Sequence, residues 1–301
     1  MSTQYKSEFK IKQAKEYEAN GMMLHAMQIY KSIIEEDPEY FEAYFELAEL
    51  YEEVGNLPAS YSLLNETLQS FPHEDKLRLY YGQFLLRNNK WNEAIEILSL
   101  ADVEKNPIVS FFIGYSNFAL KEYELSKLNF LTFVSYNSDS ELIYEAYLYL
   151  AKIEIQLINF ENALKYAKKS EALYSNFWEL NLIFAIIYYH LNMHTHALKS
   201  IEKTMRLNSR ESSVYEWSGN IYLKVGEYLK AEAQFKKYIE SIENANSDTY
   251  TKLAEICLKL DKAEDAAAYF DVAVKLDPQN KSAAAGKEKA VHIINKNVSD
   301  G

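Results

Sequence analysis

One cysteine, five prolines and eight glycines are all that 301 residues contain of the types that staple, break or loosen a chain. So little glycine and proline excludes a turn-rich β fold and a flexible linker protein, and 25 tyrosines with 15 phenylalanines exclude a disordered acidic chain. The lone Cys257 has no second thiol with which to form an intramolecular disulfide. Basic side chains are also in deficit: the net charge is −12, which argues against duplex DNA or RNA as a partner, because such binding rests on clustered Lys and Arg. Long apolar runs are missing. The most apolar stretch, Leu182 to Leu191, is broken by Tyr188, Tyr189 and His190, whereas a spanning helix needs about 20 residues. Residues 1–21 contain no apolar core of a secretory signal, so a cytoplasmic address is the expectation.

What is present is a repeat. Small residues recur at Ala14, Ala48, Gly82, Gly114, Ala151, Ala185, Gly219 and Ala254, with steps of 34, 34, 32, 37, 34, 34 and 35. A second series, Ala26, Ser60, Ala94, Ser126, Ala163, Ala197, Ala231 and Ala266, has the same steps. Each small residue lies in an amphipathic stretch with apolar side chains at helical spacing, as in Tyr44, Leu47, Tyr51 and then Leu57, Tyr61, Leu64, Leu68. Each unit is therefore a helix pair, and the small residues are where two helices approach closely. Turns inside pairs fall at Gly55-Asn56, Asn88-Asn89, Gly226-Glu227 and Leu260-Asp261, where Gly or Asn supplies a left-handed residue. Between pairs stand Asp37-Pro38, Phe71-Pro72, Asn106-Pro107 and Asp277-Pro278, each proline expected to open the next helix.

The pattern Tyr44, Leu47-Ala48, Tyr51, Gly55, Ser60, Leu64, Pro72 resembles the tetratricopeptide repeat, and it recurs in Tyr215, Gly219, Tyr222, Gly226, Tyr228, Ala231, Phe235 and in Tyr250, Leu253-Ala254, Ala266, Phe270, Ala273, Pro278. The resemblance implies an all-α, right-handed α-solenoid, a superhelix of antiparallel helix pairs. Eight pairs are expected, at about 7–40, 41–74, 75–106, 107–139, 140–177, 178–211, 212–246 and 247–280, followed by a capping helix over 281–295 and a disordered tail over 296–301. Asn117 and Glu154 stand where the family prefers an aromatic residue, and the third repeat is two residues short, so distortion is expected near residues 100–110. With no linker visible, the chain reads as one elongated domain.

In such solenoids the first helix of each pair lines the concave groove. The resemblance thus puts Glu42, Glu46, Glu49, Glu52 and Glu53 along an acidic groove wall, with Phe45 among them. It puts Phe111, Phe112, Tyr115, Phe118, Tyr149, Ile186, Tyr189 and Trp217 along an apolar, aromatic groove for a partner, with Leu148, Leu182 and Ile183 beside them. Two readings of each stand side by side: the apolar stripe as binding surface or as core, and the glutamates as a docking wall or a solvated face. Residues 1–72 carry 13 acidic side chains against 5 lysines, while Lys165, Lys168, Lys169, Lys199, Lys203, Lys236 and Lys237 form a basic stripe on later second helices.

No glycine spacing matches a phosphate loop, and no catalytic constellation, metal site or cofactor site is expected. His190, His194 and His196 fall within seven residues, but no carboxylate or thiol in that segment completes a ligand set. Co-chaperones of this family grip a C-terminal carboxylate with Lys, Asn and Arg, and the matching places here hold Phe45, Glu49, Tyr80, Ile108 and Phe112. The sequence therefore points to a non-enzymatic protein-protein interaction scaffold that binds a protein or peptide partner, an amphipathic helix or extended segment with a basic end, in its concave groove. A self-assembling scaffold built through end-to-end contacts, and an accessory subunit of a larger complex, are the alternatives.

Overall fold

The computed structural model describes residues 3–136, 141–208 and 210–300. Among them there are helices and no strands. The chain divides into two compact units, Met1–Ser140 and Glu141–Gly301. In the first unit the pairs are α1 (Thr3–Ala19) with α2 (Met23–Glu36), α3 (Phe41–Glu53) with α4 (Leu57–Ser70), α5 (Asp75–Arg87) with α6 (Trp91–Leu98), and α7 (Ile108–Ala119) with α8 (Tyr123–Tyr136). In the second they are α9 (Ile143–Gln156) with α10 (Phe160–Leu173), α11 (Trp178–His190) with α12 (His194–Leu207), α13 (Ser212–Lys224) with α14 (Tyr228–Ser241), and α15 (Ser247–Lys259) with α16 (Ala263–Leu276). The last helix, α17 (Lys281–Asp300), packs on α16 and α15. It runs through most of the residues expected as a disordered tail. Within each unit every second helix also packs on the first helix of the following pair, the arrangement of a solenoid.

Both small-residue series are buried at the helix crossings. Their non-glycine members are at most 1% exposed. At Gly82 a Cβ atom would stand 2.4 Å from a methyl of Leu98, and at Gly219 one would stand 3.0 Å from the Phe235 ring, so the second helix lies directly on the first. Where the second series has Ser instead of Ala, the hydroxyl donates across the crossing: Ser60 to the Ala48 carbonyl at 2.8 Å and Ser126 to the Gly114 carbonyl at 2.7 Å.

Every pair turns on one left-handed residue, Gly21, Gly55, Asn89, Lys121, Ile158, Asn192, Gly226 and Asp261, with φ from 57° to 82°. The next residue returns an N–H to the carbonyl five residues back, from Met22 to Tyr17 at 2.8 Å through Lys262 to Cys257 at 2.9 Å, which closes the helix end. Asn117 and Glu154 accept this bond through their backbones, so their departure from an aromatic residue leaves the turn intact. The prolines act otherwise than expected. Pro38, Pro72 and Pro278 sit second in turns closed by Tyr40 to Asp37, Glu74 to Phe71 and Asn280 to Asp277, and only Pro107 directly precedes a helix. The irregularity of the third repeat lies in the short α6 and the loop after it. There the Asp75 carboxylate accepts from Arg78 (2.7 Å), the Asp102 N–H (3.3 Å) and Asn106 (3.1 Å).

Candidate functional site

The first helices of the pairs carry the residues of interest, and two lengths of this surface differ in chemistry. On α3, the glutamates expected to form an open acidic wall are taken up by cations of the neighbouring first helices. Lys76 of α5 pairs with Glu42, and Lys15 of α1 stands 2.6 Å from Glu46. Arg87 of α5 reaches Glu52 at 3.2 Å and Glu49 at 3.7 Å, and Asn88 donates to Glu52 at 3.1 Å. The Tyr80 ring stacks on Phe45 at 3.9 Å, and its hydroxyl is shared between the Phe45 carbonyl (2.9 Å) and the Glu49 carboxylate (3.0 Å). Burial, then the Glu49 charge, pushes this phenol upward, so it stays a donor. Burial raises Glu42, but the bond from Lys76, the carboxylate's bond to its own backbone N–H and the Lys76 charge together outweigh it, and the carboxyl is held below its ordinary range. Only Glu53 of the five is exposed with no ion pair among the described residues. Four of the five glutamates thus stand in a ladder of part-exposed ion pairs joining α1, α3 and α5.

The aromatic residues fall in both units. In the first, Phe111 is 6% exposed and meets Phe130 at 5.4 Å and Phe133 at 5.2 Å edge to face, so it is core and offers a partner nothing. Phe112, Tyr115 and Phe118 are half-buried, Tyr115 against Trp91 and Phe118 against Tyr123. In the second unit, Leu148, Leu182 and Ile183 are buried, again as core. Tyr149, Ile186, Tyr189 and Trp217 are half-buried on α9, α11 and α13. Tyr189 and Trp217 meet edge to face at 5.7 Å, and Lys224 lies 5.9 Å over the Tyr189 ring. Lys152 lies 4.5 Å over Tyr149 and pairs with Glu179 at 2.6 Å. His190 joins this set, stacked on Phe160 at 4.3 Å and edge-on to Trp217 at 5.8 Å; burial lowers its basicity, which favours the neutral ring. Sequence reading missed Phe160, His190 and Lys224 as members, although His190 directly follows Tyr189 on α11.

Two metal-like groupings resolve differently. His196 tilts against Tyr188 while His190 stacks on Phe160, and the three histidines do not form a metal-type group among the described residues. Glu232, Cys257 and Asp265 do converge within 4.8 Å. There, however, Lys236 (2.8 Å) and Lys262 (2.7 Å) both hold Glu232, and burial pushes the Cys257 thiol up to about 11, so two ammonium groups and a protonated thiol stand where a cation would need anions.

With this geometry in view, comparison with known proteins gives one consistent picture. Residues 218–281 match the tetratricopeptide repeat family. Anaphase-promoting complex subunit 3 of Schizosaccharomyces pombe is 26% identical over 230 residues, 71% of this chain and 33% of that protein. The chain thus spans about a third of its relative's length. Among solved structures, the APC/C hetero-tetramer Cut9-Hcn1 is similar with a TM-score of 0.64 and 18% identity, covering 92% of this chain and 54% of that one. YrrB, a tetratricopeptide repeat protein with an unusual peptide-binding site, is similar with a TM-score of 0.51 and 16% identity over 62% of this chain and 95% of its own. At these identities the structures speak to the fold.

Proposed function

We propose that this chain, built of tetratricopeptide repeats, is a non-catalytic scaffold that holds a segment of a partner protein against the first helices of its second unit. The observation that carries this is the half-exposed set Tyr149, Ile186, Tyr189 and Trp217 on three successive first helices, flanked by Lys152 and Lys224. Tyr and Trp present a dry face and a polar tip, the side chains on which interfaces concentrate their energy. The family resemblance assigns this side to the groove. An amphipathic helix or extended peptide with its apolar side chains toward Tyr189 and Trp217 fits the surface. A cytoplasmic setting belongs to the same proposal.

The likeness to a subunit of a multiprotein complex supports a second, compatible reading, in which the partner is a neighbouring subunit and the chain is a part of a larger assembly. A Tyr189→Ala, Trp217→Ala double variant tests the site. With its circular dichroism unchanged, it is expected to lose a protein captured by the wild type from lysate, while a Lys168→Ala, Lys199→Ala variant on second helices keeps it. Equal capture by all three removes this surface from the account.

A further inference from the structure

A repeat protein supplies its own controls, because the same position can be compared in eight helix pairs. Four residues before the small residue of the first helix stand Tyr44, Tyr147, Tyr215 and Tyr250 in four pairs, Lys10, Arg78 and Ser110 in three, and Asn181 in the pair of α11 with α12. Three residues after the small residue of the second helix, that same pair has Ser200, the smallest side chain of the eight. Where both positions are aromatic the rings meet: Tyr147 of α9 stacks with Tyr166 of α10 at 6.3 Å, and Tyr250 of α15 with Tyr269 of α16 at 6.5 Å. A lysine three residues further along the second helix lies over such a ring. Lys169 is 5.0 Å over Tyr147 and 5.7 Å over Tyr166, and Lys237 is 5.9 Å over Tyr215. The pair of α11 with α12 keeps this lysine, as Lys203, and lacks both rings. Among the described residues Lys203 lies over no ring and in no ion pair.

The place left is a cavity of about 250 Å³, lined by Asn181 and Ser200 together with Phe184, Tyr188 and Lys203. A cavity of about 150 Å³ is enough to hold benzene, so a phenol ring has room. The walls are still aromatic: Phe184 and Tyr188 stack at 5.8 Å, and His196 tilts against Tyr188 at 5.1 Å. Asn181 donates its Nδ2 to the Phe177 carbonyl at 2.7 Å, which holds the amide against its own helix, short of where a tyrosine ring would reach. Lys199 and Glu171 also line the cavity, so both signs of charge are present and neither selects the occupant. Its size, its flat aromatic walls and the ammonium of Lys203 do. We infer that this cavity takes the phenol ring of a tyrosine presented by a partner segment, which supplies to α11 and α12 the ring that the chain itself supplies to α9 with α10 and to α15 with α16. The site is separate from Tyr149, Ile186, Tyr189 and Trp217 and does not rest on them.

The full chain tests this by saturation-transfer NMR with p-cresol, which is the tyrosine side chain alone, and with the capped peptide Gly-Gly-Tyr-Gly-Gly. The controls are the ring-saturated analogue of p-cresol and the same peptide with Ala for Tyr. Wild type should bind p-cresol saturably with a Kd of about 1–10 mM, the tyrosine peptide at least as tightly, and both controls about fivefold more weakly or worse. Asn181→Tyr, Ser200→Tyr, which copies the α9 and α10 arrangement, should weaken both ligands about tenfold or more with its helical signal unchanged. The Tyr189→Ala, Trp217→Ala variant should bind both as wild type. Equal binding by the refilled variant overturns the inference, as does a wild type that does not distinguish the rings from their controls. Binding of p-cresol without the peptide also overturns it, making a free phenol the occupant. If the refilled variant loses its helical signal, Ser200→Tyr alone takes its place, and loss of fold in both shows that no ring has room there and overturns the inference.

Discussion

Ile158 holds φ at +60° with a β-branched side chain that is 77% exposed. That conformation costs about 1–2 kcal/mol for an L-residue, and so exposed a side chain recovers little by packing. Asn takes the same place at 89 and 192, and Gly at 21, 55 and 226. Ile158→Asn is therefore expected to stabilise by about 0.5–1 kcal/mol, seen as a rise of about 2–4 °C in the thermal midpoint of the second unit; a fall would mean that Ile158 makes contacts the exposed position does not suggest. Gly55, Asn89, Gly226 and Asp261 were legible as turn residues because their chemistry suits a left-handed φ. Lys121 and Ile158 were not, since neither side chain signals it; only the repeat spacing places them.

Between elements, the account rests on close crossings and on ion pairs that link neighbouring helices. Gly82→Ala drives a Cβ into Leu98, which is fully buried, and is expected to cost about 1–3 kcal/mol in urea unfolding. Adding Leu98→Ala should relieve that clash, so the double variant is expected to lose less than the sum of the two single losses. At the α14–α16 cluster, burial raises Glu232 but the bonds from Lys236 and Lys262 dominate and lower it. A carboxyl depressed in the folded state adds stability that is present above its unfolded value, about 4.3, and fades as pH falls through the folded value. Glu232→Gln should accordingly cost about 1–2 kcal/mol at pH 7, tempered by the partial exposure of both lysines, and the difference from wild type should shrink below about pH 4. A pH-independent difference would assign the loss to packing. The acidic wall shows where sequence reading stopped: Glu42 and Lys76 are 34 residues apart, Glu52 and Arg87 35, one repeat in each case, so the pairing emerges only when adjacent repeats are set side by side. Helix pairs were visible from one helix at a time; what each first helix offers a partner depends on its neighbours.

For the molecule as a whole, the paired wall and the apolar aromatic set predict an association governed by burial more than by charge. Between about 0.05 and 0.5 M salt, the affinity for a partner held at Tyr189 and Trp217 should change by less than about fivefold, with the larger effect on the association rate. A steep loss of affinity with salt would move the contact to charged surface. The division at residue 140 was not legible in the chain, because the small-residue series runs through it with no shift of composition; the longest step, 37 residues from Gly114 to Ala151, is the one irregularity that brackets it.

The most direct measurement is site-specific photo-crosslinking in the native lysate, with benzoylphenylalanine at position 189 on α11 or, as the opposing case, at position 168 on α10. The account predicts a discrete protein adduct from position 189 that is absent from position 168 and is suppressed by Trp217→Ala. Adducts from 168 alone, or the same adducts from both, would contradict a partner held on the first helices of the second unit.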